Sequence, residues 1–290
     1  MQHRSLRIEP PFDLPRTTRA LKIGSAVGGS WAWATFTDAG LGTLKLTPTT
    51  DGVSADAWGP GAESLLERTP QILGLDDPVW GGSVPKQLRD LDAASRGLKL
   101  GATGAVYELL IETVLGQLVT TKESKKSFRL LRNEFGTRAP GPIEGLAAFP
   151  EPSVLAGMEY QDLHRFGIER KRAQILVEVS RRAKRLEEAL SLTVDQAWKR
   201  LQAVDGIGLW TAGVVMGAAY GDRDAVPVGD YHLPNSVAWA LAGQPRADDD
   251  RMLELLEPFR PFRRRVLVMI KEARIHAPKY GPRSAVRDHL

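Results

Sequence analysis

No cysteine occurs among the 290 residues, which excludes a disulfide framework, a thiolate zinc site, an iron–sulfur cluster and a cysteine nucleophile. No apolar run is long enough to span a membrane, and Met1–Pro15 lacks the apolar core of a signal peptide, so a cytosolic protein is expected. Histidine is scarce, and His3, His164, His232, His276 and His289 show no metal-ligand spacing. Neither a G-x-S-x-G elbow nor a P-loop is present, which makes a small-molecule enzyme a distant third reading. What remains is a globular composition, 42% hydrophobic and 26% charged, of a length that suits two domains. The net charge of +4 is too small to prove an anionic partner, so the placement of the charge must decide.

The period of the apolar pattern changes along the chain. Clusters of β-formers at Ala20–Val27, Trp31–Thr37 and Leu41–Thr47 are separated by Gly28-Gly29, Asp38-Ala39-Gly40 and Thr49-Thr50-Asp51-Gly52. A short helix is expected over Glu63–Leu73, although Pro70 falls inside it. From about Tyr107 the period is helical. Val194, Ala197, Trp198, Leu201 and Val204 share one helix face, and Thr193 with Gln196 forms a capping box before them. Ile175, Leu176, Val179, Ala183 and Leu186 trace a second stripe, and Phe262, Val266, Met269, Ile270 and Ala273 a third. Trp210–Tyr220 is apolar nearly all round and predicts a buried helix. The fold class is therefore α+β: a small antiparallel β-rich domain over residues 1–95, then an all-α domain over 96–290.

Basic residues gather in three runs of the helical half: Lys122, Lys125, Lys126, Arg129 and Arg132; Arg165, Arg170, Lys171 and Arg172; Arg260, Arg263, Arg264 and Arg265. Each run alone reads as a solvated helix face; three together also suit a phosphate backbone. Between the second and third lies Leu201–Gly213, LQAVDGIGLWTAG. Gly206 and Gly208 permit a tight turn between two helices, with Ile207 plugged into the core. Amide groups of that turn and of the next helix would face outward together, a preformed anion site. A plain helix corner with glycine caps is the alternative.

Downstream, Val226-Pro227-Val228-Gly229-Asp230-Tyr231 precedes the next helix. Asp230 stands where an N-cap is expected, and a cap would also fix the direction of a catalytic carboxylate.

Taken together, VLGQLV (Val114–Val119), FGIERKRA (Phe166–Ala173), VDGIGLWTAG, VPVGDY and EPFRPFRRR (Glu257–Arg265) resemble, in order and spacing, the helix-hairpin-helix DNA glycosylase superfamily, most closely its AlkA-like 3-methyladenine DNA glycosylase II branch. The resemblance covers about residues 97–273. It implies a two-lobed all-α domain with the active cleft between the lobes and Asp230 as catalytic aspartate. It also implies Leu118 as the wedge pushed into the base stack, and DNA contacts from Gly206, Ile207, Gly208, Thr211 and Arg263. The base pocket implied is Gln117, Trp210, Val214, Tyr231 and Lys271. Val214 and Lys271 stand where the branch carries aromatics, so stacking on an electron-poor base is weakened, and an inward Lys271 repels a cationic one. The backbone carbonyls of Gln202, Val204 and Ile207 are implied to hold a monovalent cation, sodium or potassium. No cofactor is implied for catalysis.

Superfamily members that cut the strand carry a lysine where Trp210 stands here, so the activity implied is monofunctional hydrolysis. The partner is double-stranded DNA with a damaged base, which places the chain at the nucleoid. A DNA-binding module without chemistry, or a glycosylase for a deaminated or oxidised base, is the alternative.

Overall fold

The computed structural model describes residues 1–78, 80 and 84–278; residues 279–290, the end of the expected second domain with His289, lie outside the described residues. Five strands form one antiparallel sheet: β1 (Gln2–Arg7), β2 (Ser25–Val27), β3 (Ser30–Thr37), β4 (Gly40–Thr49) and β5 (Gly52–Trp58). Their spatial order is β1-β5-β4-β3-β2. In β5 the period of two is strict, with Val53, Ala55 and Ala57 buried between half-open neighbours.

Two elements differ from expectation. The chain starts as strand β1, whose polar QHRSLR pattern gives little signal. Residues leading up to Ile23 form helix α1 (Leu14–Ala20) rather than a strand. Asp13 accepts from the Arg16 amide at 2.9 Å, and Pro15 occupies the first turn, where its missing N–H leaves nothing unpaired.

Helix α2 (Ala62–Ile72) does run through Pro70. The carbonyl that Pro70 leaves free, Leu66 O, accepts instead from Arg4 Nη1 of β1 at 3.2 Å.

The helical part continues with α3 (Arg89–Ala94), α4 (Val106–Leu115), α5 (Thr121–Phe135), and a two-residue ribbon, β6 (Thr137–Arg138) with β7 (Ala147–Ala148). Then come α6 (Pro152–Ala156), α7 (Tyr160–His164), α8 (Arg170–Arg181), α9 (Ala183–Glu187) and α10 (Val194–Gln202). Helix α11 (Leu209–Val215) widens into a π-helical turn at Met216–Tyr220, followed by α12 (Leu233–Ala242), α13 (Asp249–Leu256) and α14 (Arg263–Glu272). The capping box of Thr193 and Gln196 forms at the start of α10.

Two apolar cores organise these elements. One joins the sheet (Trp31, Trp33, Leu44, Leu46) to α4, α8, α10 and α11. The other joins α12, α13 and α14 to Trp80, Leu88, Leu91 and Leu98. Core packing therefore crosses the 95/96 boundary: α3 and Trp80 complete the second helical lobe.

Helix α4 is the hub, buried at every position but Glu112. It is tied to the sheet by Trp33 Nε1, which donates to Glu108 Oε2 at 3.0 Å. No helix among the described residues is long and apolar enough to cross a membrane.

Candidate active site and nucleic-acid interface

The hairpin is built as its glycines require. Gly206 adopts φ +87°, and a Cβ there would lie 2.3 Å from Ile175 Cδ1 of α8, so the turn is held by conformation and by close packing together. Ile207 is buried, and its amide closes the turn on Val204 O at 3.0 Å. Gly208 differs: its φ is −85°, it caps α11, and nothing lies within 4 Å of the Cβ it lacks. The space is open on the outside of the turn. Gly206→Ala is expected to lose stability, about 1–2 kcal/mol for the left-handed backbone alone. Gly208→Ala is expected to melt as the parent does but bind duplex DNA more weakly. Thermal melts and fluorescence anisotropy on one duplex check both.

The turn is locked to the end of α4. Gln117 Nε2 donates to Gly206 O and to Thr211 Oγ1, each at 3.0 Å. The Gln117 amide nitrogen, expected to face a base, is thus spent on the hairpin, and the Thr211 side chain, expected at the DNA, is buried in the first turn of α11. Arg172 braces the same corner from α8, donating from Nη1 to Leu115 O at 2.9 Å. Its residue type was visible in the basic run, but burial removes it from the surface. Held between these anchors, Leu118 adopts φ +56° and is 95% exposed. An apolar side chain in a strained conformation, pushed into solvent, has the form of a wedge.

Asp230 stands beside the first turn of α11. Its Oδ1 accepts from the His232 and Leu233 amides, both at 2.9 Å; the N-cap of α12 is His232, so Asp230 ties down the start of the helix from two residues before the N-cap position expected of it. Oδ2 accepts from Trp210 Nε1 at 3.0 Å, across from the first turn of α11. The tie on α12 and the aimed carboxylate are one arrangement, and Trp210 serves it as a donor. Val214, one turn on, is buried. Tyr231 is 86% exposed, its ring set edge-on to His232 at 4.8 Å, so it stands on the outer lip instead of lining an enclosed pocket. Lys271, exposed on α14, lies within electrostatic reach of Lys22 and Glu112. Lys22, which directly follows α1 and Leu21, was not singled out by the sequence. Its ammonium, on an exposed residue, also feels Asp230.

In the third basic run Arg260 is exposed and paired with Glu257 and Asp224, and the other three arginines turn inward. Arg263 forks onto Asp224 (Nε–Oδ1 2.8 Å, Nη2–Oδ2 2.7 Å) and is only 11% exposed. Arg264 is packed over Gly217, and Arg265 is buried against Asp77. Arg263 is therefore a structural fork and not a phosphate contact. Lys122, Lys125, Lys126 and Arg129 on α5, and Arg170 and Lys171 on α8, remain exposed. Among the described residues no group of three or more His, Cys, Asp or Glu is placed to hold a metal. At the turn, Val204 O keeps one lone pair beyond its bond to Ile207.

No protein-family profile matches the chain. It is 31% identical over 209 residues to DNA-3-methyladenine glycosylase 2 of Escherichia coli, with 70% of each chain covered. In fold it is similar to a 3-methyladenine DNA glycosylase from Archaeoglobus fulgidus, at 19% identity and a TM-score of 0.79 over 93% of this chain and 97% of that one. An 8-oxoguanine glycosylase/lyase of Clostridium acetobutylicum, solved with double-stranded DNA, gives a TM-score of 0.69 at 14% identity, covering 91% of each chain. With the hairpin, Asp230 and the exposed Leu118 in that frame, the chain belongs to the helix-hairpin-helix DNA glycosylase superfamily, in its 3-methyladenine DNA glycosylase II branch.

Proposed function

We propose that this chain hydrolyses the N-glycosidic bond of alkylated purines, of the 3-methyladenine type, in double-stranded DNA, and leaves the strand intact. The observation that carries this reading is the carboxylate of Asp230, held by three donors, one of them Trp210 in the helix that follows the hairpin. A base inside the duplex is out of reach of any side chain, so the nucleotide must be extruded, and Leu118 fills the gap it leaves. The outward amides at Gly208 and the start of α11 receive a backbone phosphate, and the exposed lysines and arginines of α5 and α8 steer the duplex.

Alkylation at N3 or N7 makes the base a cationic leaving group. The bond then breaks with its electron pair moving to the base, positive charge develops on the sugar, and Asp230 stabilises it and orients water at C1′. The superfamily's strand-cutting lysine position is Trp210 here, which donates a hydrogen bond and cannot form a Schiff base. A sodium or potassium ion would be held by the carbonyls of Gln202, Val204 and Ile207 and would stiffen the turn.

The test is a duplex carrying a single 7-methylguanine, end-labelled and incubated with the protein. Release of the base, with strand breakage only after alkali, supports the reading. Binding with no base release favours a damage-recognition module, and breakage without alkali indicates a lyase.

A further inference from the structure

One cationic surface of the helical half has no part in that scheme, because its residues meet only in the fold. A groove of about 360 Å³ opens between α9 and α10, lined by Arg185 from α9, by Gln196, Lys199, Arg200 and Ala203 from α10 and its C-cap, and by Leu192 between the two helices. Among the described residues no acidic side chain lines it. Arg185 and Lys199 belong to none of the three basic runs, since each is contributed by a different helix.

Basic residues in the last turn of a helix commonly answer its dipole, and one of the three does so here. Arg200 Nη1 donates to Arg185 O at 2.9 Å and pairs with Glu188 Oε2 at 3.2 Å, which spends it on joining the two helices. Lys199 and Arg185 are different. Both are exposed, and neither side chain has a hydrogen bond or an ion pair among the described residues. The groove thus holds two strong cations that the fold itself does not use.

Position decides which anion they suit. Ala203 closes α10, and the hairpin turn with Gly206 follows it directly in the chain. At 1.5 Å of rise per residue, Lys199 stands about 6 Å along the helix from Ala203. Each strand of a duplex carries one charge per about 3.4 Å of its axis, so that distance matches roughly two phosphates. Another groove reaches the hairpin at Asp205 and Gly206, but it sets Glu159 and Glu178 beside Lys171 and Arg181 and is no cationic track. Charge therefore continues from the hairpin along α10.

We propose that the groove between α9 and α10 is a second phosphate-binding site, in which Arg185 and Lys199 hold the DNA backbone about two phosphates beyond the one received at the hairpin. Leu192 and Ala203 offer an apolar surface to the deoxyribose between those phosphates. Such a contact lies outside the lesion and reads no base, so it lengthens the footprint on one side and adds affinity without entering the chemistry. This assignment rests on the reading of the hairpin as a phosphate site given above, and is independent of the role of Asp230.

The experiment is fluorescence anisotropy of the full chain on a duplex carrying one reduced abasic site, over a series of salt concentrations. Wild type is compared with Arg185→Gln/Lys199→Gln and with a control, Arg7→Gln/Arg138→Gln, which removes the same charge from exposed residues of β1 and β6. The groove variant is expected to bind about tenfold or more weaker near 0.1 M salt, and its slope of log affinity against log salt to be shallower by about 2, while the control keeps the parent slope. Shortening the duplex from one end is expected to erase the difference between wild type and the groove variant; shortening it from the other end is not. Melting temperature and single-turnover release of 7-methylguanine at saturating protein are expected to match the parent. An unchanged slope, an equal change in the control, or a difference that survives shortening from either end overturns the assignment, and an unchanged slope leaves the groove to another anion such as an acidic peptide. Wild type without affinity for the duplex overturns the hairpin reading, whereas binding without base release overturns the glycosylase reading and leaves the groove to be decided by the slopes.

Discussion

Asp230→Asn is expected to slow the release of 7-methylguanine about a thousandfold while leaving duplex affinity and melting temperature close to those of the parent. The magnitude follows from charge alone. A carboxylate about 4 Å from a sugar carrying a full positive charge, at an effective dielectric near 20, contributes roughly 4 kcal/mol, and each 1.4 kcal/mol is a factor of ten in rate. The amide is nearly isosteric, and its oxygen keeps the bonds from the His232 and Leu233 amides at the start of α12. What it loses is the bond from Trp210 Nε1, which would meet an NH2 group instead of Oδ2, at a cost of about 1 kcal/mol. Stability therefore moves little and chemistry much. Base release under single-turnover conditions, with anisotropy on the same duplex, separates the two. A variant that retains more than a tenth of the parent rate would show that the charge of Asp230 is not what carries the reaction.

The parts of this site that were legible in the sequence are those fixed by local chemistry. Two glycines flanking Ile207 dictate a turn and the box of Thr193 and Gln196 starts α10, each as the spacing requires; Asp230, expected as an N-cap, stands two residues before the N-cap His232 and bonds its amide and the next. The third apolar stripe, Phe262 to Ala273, matches α14. What escaped the sequence depends on tertiary partners. Arg263 looks like a phosphate ligand until Asp224, 39 residues away, closes a fork around it. Thr211 and Gln117, 94 residues apart, consume each other's hydrogen-bonding capacity. Helix α1 was hidden because seven residues give too little periodicity to outweigh the strand-like clusters after it, although Asp13 and Pro15 announce its start. Glu112 did leave a signal: a lone acid between Ile111 and Val114 in an apolar run. A buried acid in a hub helix marks a group whose environment matters, but only the fold brings Lys22 and Lys271 to it.

The second large effect is on stability, at the inward-facing end of the third basic run. Asp77→Ala is expected to cost about 3–5 kcal/mol, the range seen when one partner of a buried ion pair is removed. Asp77 is 1% and Arg265 3% exposed; Arg265 Nη2 donates to Asp77 Oδ2, which also accepts from the Leu100 amide at 2.8 Å. The carboxylate thus joins the segment after α2, the loop leading to α4 and helix α14. Arg264, buried beside it, is lowered to about 10 by burial, with Asp77 among the charges that oppose the shift. Without Asp77, two neighbouring guanidinium groups remain in the interior with their main counter-charge gone. At about 2–4 °C per kcal/mol for a chain somewhat shorter than this one, the melting temperature should fall by about 10 °C. Asp77→Ala/Arg265→Met should recover most of that loss, because replacing a buried pair by apolar groups of similar volume is often neutral or stabilising. A single variant that melts within about 1 kcal/mol of the parent would mean that the Asp77–Arg265 pair contributes little to holding α14, and that its apolar stripe and the fork of Arg263 on Asp224 hold it.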